Sequence, residues 1–174
     1  MKFAYEIQNK TVKIWRCFSY GREIEFPDSL EGYPVVELAP YAFSEHLEEG
    51  RLEEKLIAGE VLLSQEDEAP ALCGLRLRGV HLPSSLRKIG AYAFYNCSNL
   101  ESISLHSSLK DLGAGIFTGC HHVKEFTLTL DHTQTSCLQE ILMELGEELR
   151  LTICQEGREA RLVFPEFYEE GVEN

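Results

Sequence analysis

The chain has 174 residues, is 44% hydrophobic and carries a net charge of −13. That is enough apolar chain for one domain with a real core, and no apolar run is long enough to span a bilayer. An acidic balance excludes duplex nucleic acid, whose phosphates are held by Lys and Arg, and an anionic membrane surface repels it for the same reason. The opening residues, Met1 to Lys10, mix charge and amide where a signal peptide needs an apolar core. The expected compartment is therefore the cytoplasm, or the cell surface or exterior if an upstream leader was removed. The six cysteines are spread widely, without a CxxC pair, and are expected to be reduced thiols, not a disulfide framework or a zinc site.

Residues 1–25 open the chain as an expected N-terminal β cap. Phe3–Ile7, Thr11–Phe18 and Arg22–Phe26 alternate apolar and polar residues like strands, with turns at Asn9-Lys10 and Tyr20-Gly21. Residues 26–46 then form a first, divergent coil, in which Phe26-Pro27-Asp28-Ser29-Leu30 and Tyr41-Ala42-Phe43 match motifs found further on. Residues 47–76 break the period as an acidic insertion, and residues 44–75 alone carry −7. Its start, Leu47 to Ile57, fits a short amphipathic helix. Val61-Leu62-Leu63 follows, and Gln65 to Pro70 reads as a solvated loop.

Residues 77–130 are the regular part. Leu82, Ser84-Ser85-Leu86, Ile89-Gly90, Phe94, Cys97, Leu100 and Ile103 recur 23 residues later as Leu105, Ser107-Ser108-Leu109, Leu112-Gly113, Phe117, Cys120, Val123 and Phe126. A fixed period of this length means coils that bury their apolar side by stacking. Leu77 to Leu82, Leu100 to Leu105 and Val123 to Leu128 alternate as strands of one parallel sheet. Ala91–Cys97 and Ala114–Cys120 become tight helical turns, with Phe94 and Phe117 as core knobs. Past Leu130 the pattern stops. Residues 131–174 read as a C-terminal cap or the start of a further region. Within it, Ser136 and Gln139 form a capping box, Leu138, Ile141, Leu142 and Leu145 one apolar helix face, and Gly146 a stop. A hairpin then joins Leu149–Ile153 to Ala160–Phe164 around Glu156-Gly157.

Stacking in register aligns side chains into columns. Arg78, Glu101 and Lys124 form one column whose signs suit cross-strand ion pairs or a polar partner. Gly79, Ser102 and Glu125 form a second, and His81, Ser104 and Thr127 a third. Cys97 and Cys120 occupy one core position, where cysteine acts as a small hydrophobe. Cys120-His121-His122 with His132 is the only local group of soft ligands, and adjacent histidines on extended chain point to opposite faces. No GxSxG, P-loop, GxGxxG or HExxH occurs, and no cofactor or metal is implied. Leu56-Ile57, Val61-Leu62-Leu63, Phe164, Phe167 and Tyr168 either pack on the coils or form an apolar contact surface.

The repeat resembles the unit of the BspA-like leucine-rich repeat family, of the type first described in treponemal surface proteins: Leu-x-x-Ile-x-Leu-Pro-x-x-Leu-x-x-Ile-Gly-x-x-Ala-Phe-x-x-Cys. Leu77 to Cys97 matches at nearly every defined position, and Leu100 to Cys120 with His106, Leu112 and Ile116 as substitutes. Gly32-Tyr33-Pro34-Val35 with Tyr41-Ala42-Phe43 resembles the family's opening coil. The resemblance implies an α+β repeat solenoid used for binding, with a parallel strand face. The expected function is a non-catalytic module that binds a protein partner through Arg78, His81, Glu101, Ser102, Ser104, Lys124, Glu125 and Thr127 and through the acidic insertion. The alternatives are a structural or regulatory N-terminal domain of a longer protein and, more remotely, a thiol- or metal-dependent enzyme.

Overall fold

A computed structural model of the chain describes residues 1–131, 137–145 and 149–164. The alternating N-terminal segments become β1 (Lys2–Gln8) and β2 (Thr11–Phe18), an antiparallel hairpin. Its turn residues Asn9 and Lys10 take φ values of 51° and 61°, the left-handed pair that a tight hairpin turn requires. Then come β3 (Glu23–Glu25), β4 (Ser29–Leu30) and β5 (Tyr33–Leu38). The insertion supplies helix α1 (Glu49–Ile57) and β6 (Leu62–Leu63), followed by a single 3-10 turn at Gly74–Arg76. The repeats give β7 (Gly79–His81), β8 (Lys88–Ile89), β9 (Ser102–His106), β10 (Asp111–Leu112) and β11 (Glu125–Leu130). Helix α2 (Leu138–Leu145) and the strands β12 (Leu149–Gln155) and β13 (Arg158–Phe164) complete the described chain. The content is mixed α/β, mostly strand, with two α-helices among the described residues.

The strands form two sheets. One runs β13-β12-β11-β9-β7-β3, and from β3 to β12 every neighbour is parallel. Its register is the expected one: Gly79 pairs with Ser102 and Ser102 with Glu125, while His81 pairs with Ser104 and Ser104 with Thr127. The other sheet runs β10-β8-β5-β2-β1-β6, with β4 beside β5. Successive repeats therefore enter both sheets, and no periodicity in the sequence announces the second. Lys88-Ile89 and Asp111-Leu112 are too short to display alternation, so only the pairing of β8 with β5 and of β10 with β8 reveals them as strands. Nor does β3 belong with the N-terminal hairpin, since it pairs with β7 as the first rung of the long parallel ladder. Val80, Leu82, Leu86, Ile89, Ile103, Leu105 and Leu109 are all buried between the strands.

The segments read as helical turns are successive hydrogen-bonded β-turns. Ala93 N–H donates to the Gly90 carbonyl, Tyr95 to Tyr92 and Cys97 to Phe94, at 3.0–3.3 Å. Backbone bonds also tie each repeat to the next, from Phe43 N–H to Ala93 O at 2.8 Å and from Phe94 N–H to Ile116 O at 3.0 Å. At that spacing the phenylalanine rings stack. Phe43 and Phe94 lie 4.9 Å apart and Phe94 and Phe117 5.4 Å apart, nearly parallel in both cases. Phe26 meets Phe43 edge-on, and Phe3 stacks on Phe26. The same spacing explains the Ile-Gly of the motif. A Cβ on Gly90 would sit 2.4 Å from the Pro40 nitrogen, and one on Gly113 would sit 2.3 Å from the Ala91 nitrogen.

The repeats' backbone ladder leaves donors and acceptors unmatched at its two ends, and side chains meet them. Arg16, 1% exposed, donates from Nη1 to the carbonyls of Ser44 at 2.6 Å, Ala42 at 3.2 Å and Tyr41 at 3.3 Å, while Nη2 pairs with Glu49 at 3.3 Å. Ala42 O is the counterpart of Ala93 O, which serves the Phe43 N–H. At the other end the Phe117 N–H donates to Glu144 Oε2 of α2 at 3.0 Å, where Phe43 and Phe94 have carbonyls. On α2, Ile141 and Leu145 are buried, as the apolar face predicts. The β12–β13 hairpin turns at Glu156-Gly157, as expected. Ser136 and Gly146 lie outside the described residues.

Residues 65–70 are irregular and, Ala69 apart, exposed, as a solvated loop should be, but the loop is tethered. Lys2 Nζ donates to Asp67 O at 2.6 Å and lies over the Phe18 ring, Ser19 N–H donates to Pro70 O, and Ala69 is buried. With β6 paired to β1, the insertion is held to the N-terminal hairpin along much of its length.

Gly113→Ala is expected to cost ~1–3 kcal/mol in urea unfolding, because the backbone it meets cannot yield without strain. Gly50→Ala, in open space on α1, is expected to gain ~0.5 kcal/mol by restricting the unfolded chain. Arg16→Leu leaves three carbonyls without their donor and is expected to cost about 3 kcal/mol in the same assay.

Candidate interaction surfaces

The outer face of the long parallel sheet brings the predicted residues together. Outward positions along β7, β9 and β11 alternate with the buried Val80, Ile103 and Phe126, so His81, Ser102, Ser104, Glu125 and Thr127 share one face. The columns run further than the sequence suggests: Glu23 and Arg150 extend the Gly79 row, and Glu25 and Thr152 extend the His81 row. Gly79 is buried because Ser102 and Glu23 lean across it, leaving a Cβ only 2.8 Å from Ser102 Oγ. Arg78, Glu101 and Lys124 stand at the strand entries, joined through Glu101 N–H to Arg78 O and Lys124 N–H to Glu101 O.

Their expected ion pairs do not close. Among the described residues the cross-strand pair on this face is Glu125 with Arg150, directly opposite in register. The three entry side chains are exposed, where the entropy of long side chains offsets a screened attraction.

A second surface lies where the insertion meets the repeat turns. Leu52 of α1 packs on Trp15, whose ring has Lys13 Nζ at 4.8 Å and Lys55 Nζ at 5.0 Å. Beside this contact opens a groove of about 860 Å³. The repeat side presents Tyr41, Tyr92 and Tyr95, and the insertion side presents Leu47, Glu48 and Arg51. Tyr41 stacks on Tyr92 at 5.5 Å, Tyr95 meets Tyr92 edge-on at 5.7 Å, and His46 meets Tyr95 at 4.9 Å.

Sequence reasoning missed this groove. The signal was present in the register, for Tyr41, Tyr92 and Gly115 share one repeat position, as do Ser44, Tyr95 and Thr118. Attention to the strand columns passed over them, and the opposing wall comes from an insertion with no repeat register. The other proposed apolar surface divides. Val61 is buried, while Ile57, Leu62 and Leu63 are exposed. The side chain of Phe164, and Phe167 and Tyr168 entirely, lie outside the described residues.

The thiols are built into the core. Cys97 Sγ donates to Phe43 O at 3.2 Å and Cys120 Sγ to Phe94 O at 3.0 Å, each reaching back to the preceding repeat. Burial pushes the Cys120 thiol up to about 12 and Cys137 up to about 11, and raises Cys97 and Cys17 strongly. Nucleophilic thiols are shifted the other way. His122 Nδ1 lies 2.6 Å from Ser98 O, and His132 lies outside the described residues. Among the described residues no three His, Cys, Asp or Glu side chains converge as a metal would require, and no helix is long and apolar enough to cross a membrane.

A repeat of this kind, in this register, is a leucine-rich repeat, set here in a chain of mixed α/β content. Residues 68–144 match the family model described as BspA type Leucine rich repeat region (6 copies), and these repeats are of the BspA type. Leucine-rich repeat proteins commonly mediate protein–protein contact and are generally not enzymes. No curated protein matches the chain. Among solved structures, the crystal structure of a T. pallidum leucine rich repeat protein (TpLRR) aligns over 84% of this chain and 94% of that one. Its identity is 17% and its TM-score 0.36, a likeness too remote to carry weight.

In the native protein a chromogenic disulfide reagent is expected to react quickly with at most two of the six thiols, Cys73 and Cys154, which are only half-buried. All six react after unfolding. Because the folded-state values of Cys97, Cys120 and Cys137 are raised above the usual 9.0, their contribution to stability is complete below pH 9. It is lost as pH climbs toward the folded values, by about 1.4 kcal/mol per pH unit for each such thiol. Urea unfolding between pH 8.5 and 11 measures the slope, and Cys120→Ala is expected to flatten it.

Proposed function

We propose that the chain is a non-catalytic protein-interaction module, with residues 1–174 forming one domain. In this reading the repeats wind as a short solenoid. The N-terminal hairpin and the insertion close one end, and α2 with the β12–β13 hairpin closes the other. The outer strand face binds a protein partner through His81, Ser102, Ser104, Glu125 and Thr127, with Arg78, Glu101 and Lys124 along its border and the acidic insertion tuning specificity.

The observation that carries this reading is the unbroken register of the parallel ladder, which turns residues far apart in sequence into continuous columns on one face. Ser102, Ser104, Thr127 and Thr152 share those columns with charged residues, so a partner's side chains meet a surface rich in hydrogen-bonding groups. Thiols consumed by carbonyls and raised by burial support a binding role over a catalytic one.

The test is affinity capture from host lysate with the intact chain and with a Ser104→Arg/Thr127→Arg double variant. Both positions are half-exposed, so the variant is expected to keep its melting temperature. It is expected to lose at least tenfold of the bound partner, measured by quantitative mass spectrometry. Undiminished capture by the variant would move binding away from the strand face.

A further inference from the structure

We infer that the groove between the repeat turns and α1 takes a proline-rich, extended segment of a partner protein. This rests on the interaction-module reading and adds to it a second surface, remote in kind from the polar strand columns.

The shape is the first argument. Tyr95 stands at 89° to Tyr92 and at 77° to Tyr41, whereas Tyr41 and Tyr92 are stacked at 20°. Crossed rings make ridges and slots instead of one flat platform. Pyrrolidine rings of a polyproline II segment fit between such ridges, and aromatic-lined grooves recognise proline-rich segments in this way. A volume of about 860 Å³ lies within the range of ligand sites.

The hydrogen-bonding inventory is the second. The tyrosine hydroxyls, Thr118 and Arg51 offer donors, while Lys13 is paired with Glu37 at 3.2 Å and Glu48 is the one lining carboxylate. Proline offers carbonyl acceptors and no N–H, and polyproline II has no internal hydrogen bonds to occupy those carbonyls. A sugar chain prefers a flat ring face, which rings crossed at 77–89° do not present. On the floor, Trp15 is 9% exposed, with its indole N–H buried.

Backbone conformation is the third. Tyr41 and Tyr92 hold φ values of 60° and 57°, a region that bulky residues rarely occupy. The next repeat makes the same turn with Gly115 at 59°. The turn therefore does not require tyrosine, and strained residues of this kind cluster at ligand sites.

Trp15 is the chain's single tryptophan, so intrinsic fluorescence reports directly on the groove. The intact chain is titrated with decaproline, with a Gly/Ser decamer and with cellohexaose. Decaproline is expected to give a saturable change and the other two none. Tyr95→Ser and Tyr92→Gly copy the residues that neighbouring repeats carry at 44 and 115, so the fold tolerates them. Each is expected to raise the decaproline Kd at least tenfold while leaving the melting temperature unchanged. The proposal is overturned if decaproline gives no saturable change up to millimolar concentration. It is equally overturned if Tyr95→Ser binds like the parent, or if the Gly/Ser decamer or cellohexaose binds as well. Partner capture sensitive to the Ser104/Thr127 substitutions would survive any of these failures, which separates the two readings.

Discussion

The distance between successive repeats governs this molecule. Backbone hydrogen bonds at 2.8–3.0 Å join Phe43 to Ala93 and Phe94 to Ile116, and at that separation the rings of Phe43, Phe94 and Phe117 stack in succession, 4.9 and 5.4 Å apart. Non-covalent contact and hydrogen bonding here demand the same spacing, so neither is strained to serve the other. Everything else in the repeat accommodates it. Glycine stands at 90 and 113 because no Cβ fits. Cysteine stands at 97 and 120 because a thiol is small enough to pack there and can donate to the carbonyl one repeat back.

A stack held by backbone hydrogen bonds runs out of partners at its ends, and buried unpaired groups are costly. The two ends of this ladder have opposite needs. The first repeat exposes carbonyls, and a planar guanidinium with several donors in fixed directions suits them. The last repeat exposes an N–H, and a carboxylate suits that. Arg16 and Glu144 thus do with side chains what a further repeat would do with backbone. Arg16 also ties the insertion in place through Glu49, so the same guanidinium that completes the first repeat fixes one wall of the tyrosine groove.

The two exposed surfaces differ because their origins differ. The strand face is periodic, so its chemistry repeats in rows of Ser, Thr, His and charge. The groove is aperiodic, formed where an insertion crosses the turn side, and aromatic residues gather there because the turn positions tolerate them without entering the core. Buried thiols with raised pKa values contribute packing and hydrogen bonds to the interior, and none of the four is placed for chemistry at either surface.

The sequence by itself determined the β7-β9-β11 part of the parallel ladder and its register. The 23-residue spacing fixes which residues stack, and Gly79, Ser102 and Glu125 fall in line as the alternation requires. It also determined α1, the apolar face of α2 and the turn at Glu156-Gly157, since period and turn chemistry are local properties. Only the tertiary structure decided the second sheet, whose two-residue strands carry no periodic signal of their own. Only it decided that β3 belongs to the repeats, that Arg16 is buried on carbonyls, and that the Arg78, Glu101 and Lys124 side chains do not pair. The groove belongs to the same group. Its tyrosines are legible as a column, but the wall facing them comes from residues 47–51, and nothing local in a sequence states which distant segment will lie across it.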